Sequence, residues 1–225
     1  MSQTLQTALT HAGQRLSGAG IEDSRREARI LLAFVLGIDA LQVSLRLEET
    51  LTAEHSAAFE AALKSRMAHV PMSHILGYRE FYEHRFIVTP DVLDPRPETE
   101  ELVARALSAP FQNVLDLGVG SGCIILSLLA VNSSACGVAV DCSAKALEVA
   151  RRNAAKLQLT DRVRFCRSDW CAEIPSERFA DAILIDRLCR NRRSCPGHRA
   201  GFHRSRSRLQ EGQRIHIRRW HLDHC

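Results

Sequence analysis

The residues whose types and spacing could do chemistry lie between positions 113 and 141. Residues 113–122 read NVLDLGVGSG, an apolar run that breaks into alternating glycines. Val114, Leu115 and Leu117 suit a buried strand, and the apolar run 124–130 suits a buried helix behind it. Between them Gly118, Gly120 and Gly122 permit a sharp turn and let a ligand approach the main chain without meeting a Cβ. Val119 and Ser121 complete the loop. A second apolar run, 137–140, ends on Asp141. An acid at the tip of the second strand of a βαβ unit is placed to accept hydrogen bonds from ribose hydroxyls. The chemistry this spacing suggests is the holding of a nucleoside.

Spacing also narrows which nucleoside. The dinucleotide fingerprint GxGxxG would need a glycine where Cys123 stands, and no lysine makes the loop a phosphate cradle. The GxGxG pattern with an acid about twenty residues on resembles the class I S-adenosylmethionine (SAM) methyltransferases. Their cofactor carries a ribose and a carboxylate but no phosphate. The resemblance implies close main-chain contact at the turn, with the carboxylate near helix-start amides. A nicotinamide-dependent oxidoreductase is disfavoured by Cys123, and an ordinary strand-to-helix turn is the plainer alternative.

Such a site needs elements to carry it, and 225 residues allow one large domain or a medium one with a small one. The first seventy or so residues read as a small helical unit. Leu5, Leu9, Ala12 and Leu16 recur at helical spacing up to Gly18 and Gly20. Ser24 and Glu27 form a capping-box pattern ahead of Ala28, Leu31, Leu32, Val35 and Leu36, with Gly37 as the stop. Thr52 caps a third helix carrying Phe59, Leu63 and Met67, which must end before Pro71. His11, His55 and His69 read as solvated helix residues, and no metal site is expected. In residues 74–103, Phe81, Tyr82, Phe86, Ile87 and Val88 favour a hairpin. Pro97 then opens a helix through Leu102, Val103, Ala106 and Leu107.

Composition bounds the setting. No apolar stretch is long enough to span a bilayer, and the N-terminus has no charged-then-apolar leader pattern. A cytoplasmic protein is expected, acting as a monomer. The eight cysteines lie singly, with no CxxC pair. They read as reduced, with Cys123, Cys136 and Cys166 as small core residues. Net charge is +4, but residues 187–225 hold eleven arginines, no lysine and two acids. The preceding residues carry nineteen basic and twenty-four acidic side chains, a net of −5. A duplex-binding enzyme usually carries a basic groove, so direct nucleic-acid binding is not expected of the body.

Taken in order, the helical unit, GYREFYEHRFIVTPDVL, PRPETEELV and DLGVGSGCI resemble the release factor glutamine methyltransferases, the HemK/PrmC family. The resemblance runs from about residue 1 to residue 184. It implies SAM-dependent N5-methylation of the glutamine in the GGQ motif of bacterial peptide-chain release factors. It further implies that residues 118–122 hug the methionine part of SAM and that Asp141 holds the ribose. Asp169 then accepts from the adenine amine and Trp170 offers its apolar face to the ring.

The expected fold is α/β, a Rossmann-like class I SAM methyltransferase domain, C-terminally incomplete. A helical substrate-recognition domain (1–73) and a hairpin linker (74–98) precede the SAM domain (99–186). A tail (187–225) follows.

Chemistry in that family falls on an NPPY motif after the fourth strand, whose asparagine and proline carbonyl aim the glutamine amide nitrogen at the methyl. Here the four slots read Asp186, Arg187, Leu188 and Cys189, so no catalytic residue is assigned. Two other functions stay open: a non-catalytic binder of SAM or of a release factor, and an adenine-N6 nucleic-acid methyltransferase. Strand periodicity stops beyond residue 184, and the tail turns rich in arginine and histidine, which points to a reading-frame shift near codon 185. Resequencing that finds no overlapping NPPY frame would end this idea. RNA binding or zinc binding by the tail are weaker readings of the same residues.

Overall fold

The computed structural model describes residues 3–169 and, for the main chain alone, 182–185. Trp170, the NPPY slots 186–189 and the tail lie outside the described residues. The chain divides into two units, Met1–Gly77 and Tyr78–Cys225.

The first unit is helical: α1 (Leu5–Gly18), α2 (Ser24–Leu36), α3 (Ala40–Leu45), α4 (Ala53–Met67) and α5 (Met72–Leu76). Leu5, Ala8, Ala12 and Leu16 of α1 pack with Leu31 and Leu32 of α2 and Phe59 and Leu63 of α4. Apolar residues at three- and four-residue spacing form one stripe per helix, and the stripes meet. Thr52 caps α4 as its sequence suggests, its hydroxyl accepting from His55 N at 3.1 Å. Gly37 closes α2 in the left-handed region, φ 65°.

The capping box expected of Ser24 and Glu27 does not form. Ser24 is the first helical residue, and Asp23 stands at the cap without a side-chain bond. Glu27 instead accepts from Arg66 Nε and a terminal nitrogen at 2.5 and 3.1 Å. A two-point guanidinium–carboxylate pair is stronger than a local neutral cap, so the pairing of α2 with α4 wins. Two short helices have no long apolar period to reveal them. α3 is fixed by a capping box between Asp39 and Gln42. α5 ends at Gly77, φ 79°, so the helical unit continues past residue 73, where the sequence placed its end.

Arg15 of α1 grips Glu60 of α4 at two points, 2.6 and 2.8 Å. These hydrogen bonds hold the Glu60 carboxyl below its ordinary value of 4.5. A lowered carboxyl stabilises the fold above the unfolded value and loses that contribution as pH falls through the folded value. Glu60 is 41% exposed, so solvent screening keeps the effect below about 1 kcal/mol. Wild type is therefore expected to lose slightly more stability than Glu60→Gln on acidification through the carboxylate range. Denaturant midpoints measured across that range check it, and parallel curves would refute it.

The second unit opens with a hairpin, β1 (Tyr78–Phe81) and β2 (His84–Ile87), followed by α6 (Glu100–Leu107). Phe81 pairs with His84 across a two-residue turn, and its centre, Tyr82 and Glu83, sits at φ 44° and 66°. Such turns favour Asn-Gly because both residues must be left-handed. Tyr82 is held there by packing on the core and by its amide donating to Glu100 Oε1 at 3.3 Å. Glu83 is exposed. Glu83→Gly is expected to raise stability by roughly 0.5–1 kcal/mol. A lowered unfolding midpoint would contradict this.

Among the described residues there follow β3 (Asn113–Leu117), α7 (Cys123–Val131), β4 (Cys136–Asp141), α8 (Ala144–Lys156), β5 (Val163–Arg167) and β6 (Ala182–Ile185). The four strands form a parallel sheet in the order β5-β4-β3-β6. From β3 the chain moves outward through β4 to β5, then returns to pair β6 on the other side of β3. That reversal is the topological switch point, and ligands of open α/β sheets bind at the carboxyl ends beside it. Residues Cys123 to Leu129 of α7 are all buried, as a helix with no polar face must be. A Cβ on Gly137 would stand 2.7 Å from Ile125 Cδ1, so the missing side chain lets α7 lie close on β4.

Cys123 is buried, Cys166 is half-buried, and Cys136 is exposed at the start of β4 rather than in the core. A strand's first residue lies where the sheet meets solvent, which corrects its reading as a core residue. Among the described residues no helix is long and apolar enough to cross a membrane.

Candidate functional site

The carboxyl ends of the sheet strands carry the predicted residues. β3 runs into Gly118, Val119, Gly120, Ser121 and Gly122, and α7 starts at Cys123. Gly118, Gly120 and Gly122 all take left-handed backbone, φ 83°, 53° and 82°. Three such residues within five can only be glycine at low cost, because side chains crowd that region.

The turn is closed by its own main chain. Gly118 N and Val119 N both donate to Val140 O at 2.9 Å, and Gly122 N donates to Val119 O at 2.8 Å. Val119 itself is 5% exposed and belongs to the core, so its side chain anchors the loop. A Cβ on Gly120 would meet nothing nearer than Gly118 O at 4.0 Å, which leaves open space over the middle of the turn.

Asp141 is brought to this turn directly. Its Oδ2 accepts from Gly120 N at 3.0 Å, and its Oδ1 accepts from Ser143 N at 2.9 Å. Ser143 in turn caps α8, accepting from Ala146 N at 3.2 Å. One carboxylate therefore ties the glycine turn to the start of α8. An ionised carboxylate has about four acceptor sites, so two bonds leave capacity on both oxygens.

β5 reaches the same edge. Ser168 N donates to Asp141 O at 3.2 Å, which sets the end of β5 against the end of β4. Asp169 follows there and is exposed. Gly118, Val119, Gly120, Ser121, Gly122, Asp141 and Asp169 are thus drawn to one edge of the sheet. Trp170 and the slots Asp186, Arg187, Leu188 and Cys189 lie outside the described residues. Among the described residues, no three His, Cys, Asp or Glu side chains are grouped to hold a metal ion.

Sequence reasoning missed Asn153. It lies on α8, is 1% exposed, and donates to Ser121 O at 2.8 Å. A polar residue on the apolar stripe of α8, between Ala150 and Ala154, is the signal that could have found it.

A parallel sheet reversing at β3, a three-glycine turn and an acid ending the next strand define the class I SAM-dependent methyltransferase fold. Comparison with known proteins agrees in both units. A PrmC N-terminal domain model matches residues 7–77, and a methyltransferase domain model matches residues 110–206. A release factor glutamine methyltransferase of Cereibacter sphaeroides is 49% identical over 177 residues, covering 79% of this chain and 63% of that protein. One of Rhodospirillum rubrum is 41% identical, covering 74% of this chain and 52% of that protein. A bifunctional methyltransferase of Rickettsia felis is 34% identical, covering 82% of this chain and 41% of that protein. Over most of its length the chain is similar to release factor glutamine methyltransferases. It spans 63% of the length of the first of these relatives.

Proposed function

We propose that this chain binds SAM at the turn 118–122 and serves N5-methylation of the GGQ glutamine of bacterial peptide-chain release factors, in the cytoplasm. The observation that carries the reading is the bond from Gly120 N to Asp141 Oδ2. It holds a point of main chain that has no Cβ and a carboxylate with spare acceptor capacity at one edge of the sheet.

The residues fit the donor's parts. Open space over Gly120 suits the methionine portion, where a side chain would intrude. The remaining lone pairs of Asp141 suit the two ribose hydroxyls, and the existing bonds to Gly120 and Ser143 keep the carboxylate from rotating away. Asp169 suits the adenine amine, with Trp170 beside it in sequence. SAM supplies a methyl group already activated by a positive sulfur. What the protein must add is alignment of a glutamine amide whose lone pair is delocalised into its carbonyl.

That alignment is where a second reading gains support. Asp186, Arg187, Leu188 and Cys189 stand where the family's NPPY would follow β6. A chain with the donor site but without those acceptors binds SAM or a release factor and transfers nothing.

Incubation with methyl-labelled SAM, purified release factor and DNA decides between them. Label in the release factor supports the proposal. Label in DNA supports the adenine-directed alternative, and binding of SAM without transfer supports the second reading. No binding of SAM at all would overturn the site.

A further inference from the structure

Asn153 makes full use of its amide at two separate places. Oδ1 accepts from Ile87 N at 2.7 Å, and Nδ2 donates to Ile87 O at 3.0 Å. The same Nδ2 donates to Ser121 O at 2.8 Å. Both main-chain groups of one hairpin residue and one carbonyl of the glycine turn are therefore held by a single side chain. Asparagine is a poor residue for a helix interior, so its place in α8 is not explained by helix formation.

The bond to Ser121 acts on one peptide unit. The carbonyl of Ser121 and the N–H of Gly122 lie in the same rigid plane. The N–H end donates to Val119 O at 2.8 Å, and the carbonyl end is held by Asn153 at 2.8 Å. Gly120 and Gly122 flank that residue at φ 53° and 82°. The plane turns through Ser121 ψ and Gly122 φ, and Gly122 is the freer of the two because it has no Cβ. Removing Nδ2 would leave a buried carbonyl without this partner and one end of the plane loose.

α8 also steadies the other end of the connection. Lys156 Nζ donates to Arg85 O at 2.7 Å, and Lys145 pairs with Asp91 at 3.2 Å. Val149 packs with Val88 and Val92 just beyond the hairpin. The hairpin is thus fixed along the helix that carries Asn153.

We infer that Asn153 is a positioning residue for the glycine turn, locking the Ser121–Gly122 peptide in the orientation that receives the donor and tying that turn to the hairpin through Ile87. Its effect on affinity rests on the reading of 118–122 as the donor site. The lock itself does not. A turn ordered before binding saves the ordering cost at the moment of binding, and this appears as affinity.

The test uses the full chain as wild type, Asn153→Leu, Asn153→Ser and Val149→Ala. Val149→Ala loosens α8 against Val88 and Val92 without touching the turn. Amide hydrogen exchange at Gly120 and Gly122 is followed by mass spectrometry or NMR, and S-adenosylhomocysteine and SAM affinities by calorimetry.

Both Asn153 variants are expected to speed exchange at Gly120 and Gly122 while Val138 and Val140 stay protected. They should weaken donor binding about tenfold, the loss of roughly one hydrogen bond to a buried group. Val149→Ala should lower the unfolding temperature yet leave turn exchange and affinity unchanged. Asn153→Ser keeps the test available if the leucine variant does not fold. Unchanged turn exchange in a folded Asn153 variant overturns the inference. Wild type that binds no donor overturns the donor-site reading instead, and the exchange data then decide the lock alone.

Discussion

Replacing Asp141 by alanine is expected to weaken SAM binding by a factor of about 100 or more, and to do so with the sheet intact. The magnitude follows from what the carboxylate does. Hydrogen bonds to a charged acceptor contribute about 1.5–3 kcal/mol each, and two ribose hydroxyls would face this one group. Each 1.4 kcal/mol is about tenfold, so losing both bonds exceeds a hundredfold. The same substitution frees Gly120 N and Ser143 N, which now donate to the carboxylate at 3.0 and 2.9 Å. Gly120 and Ser143 are only half-buried, so water can reach the freed amides in part and folding suffers less than binding. Calorimetry on the variant gives the affinity, and circular dichroism gives the fold. A fall in affinity of less than about fivefold would show that the ribose is held elsewhere.

The largest expected effect on stability comes from Gly122→Ala. The residue sits at φ 82°, where a Cβ costs about 1–2 kcal/mol through its own backbone. A Cβ there would also stand 2.9 Å from Leu126 Cδ1 and 3.4 Å from Ala150 Cβ. Leu126 is fully buried in the core, so its methyl can withdraw only by disturbing packed neighbours. Overpacking of this kind adds about 1–3 kcal/mol, for a total of roughly 2–5 kcal/mol. Urea unfolding of the full chain measures it. A loss under about 1 kcal/mol would mean that the start of α7 shifts freely, and the account of a rigid turn would fail.

How much of this was legible in the sequence depends on the range over which each feature is set. The turn 118–122 announced itself because three glycines in alternate positions answer a local demand for left-handed backbone. α7 and the inner strands were legible for a similar reason, since an element buried on every side has no polar residues to hide its run. Asp141 was found by its distance from the turn, a property of βαβ units. Features decided by partners far away in the chain were not legible. Glu27 looked like half of a cap, but Arg66 claims it. Cys136 looked like a core residue, but its strand starts at the surface. Asn153 reads locally as one more polar residue on a helix, and only Ile87 and Ser121 explain it. The tight turn at Tyr82 and Glu83 lacks the Asn-Gly that would have marked it. α3 and α5 are too short to show a period.

The pairing of Val114 with Ala182 has a consequence for biosynthesis. β3, an interior strand of the sheet, is translated early, yet one of its two neighbours leaves the ribosome last among the described elements. Until then one flank of β3 offers bare amides and carbonyls to whatever strand it meets. Contacts this far apart in sequence form slowly, and ribosomes add only about 5–20 residues per second. The nascent protein therefore spends seconds with its central template half open, a window in which a holding chaperone would decide yield more than any contact in the finished fold.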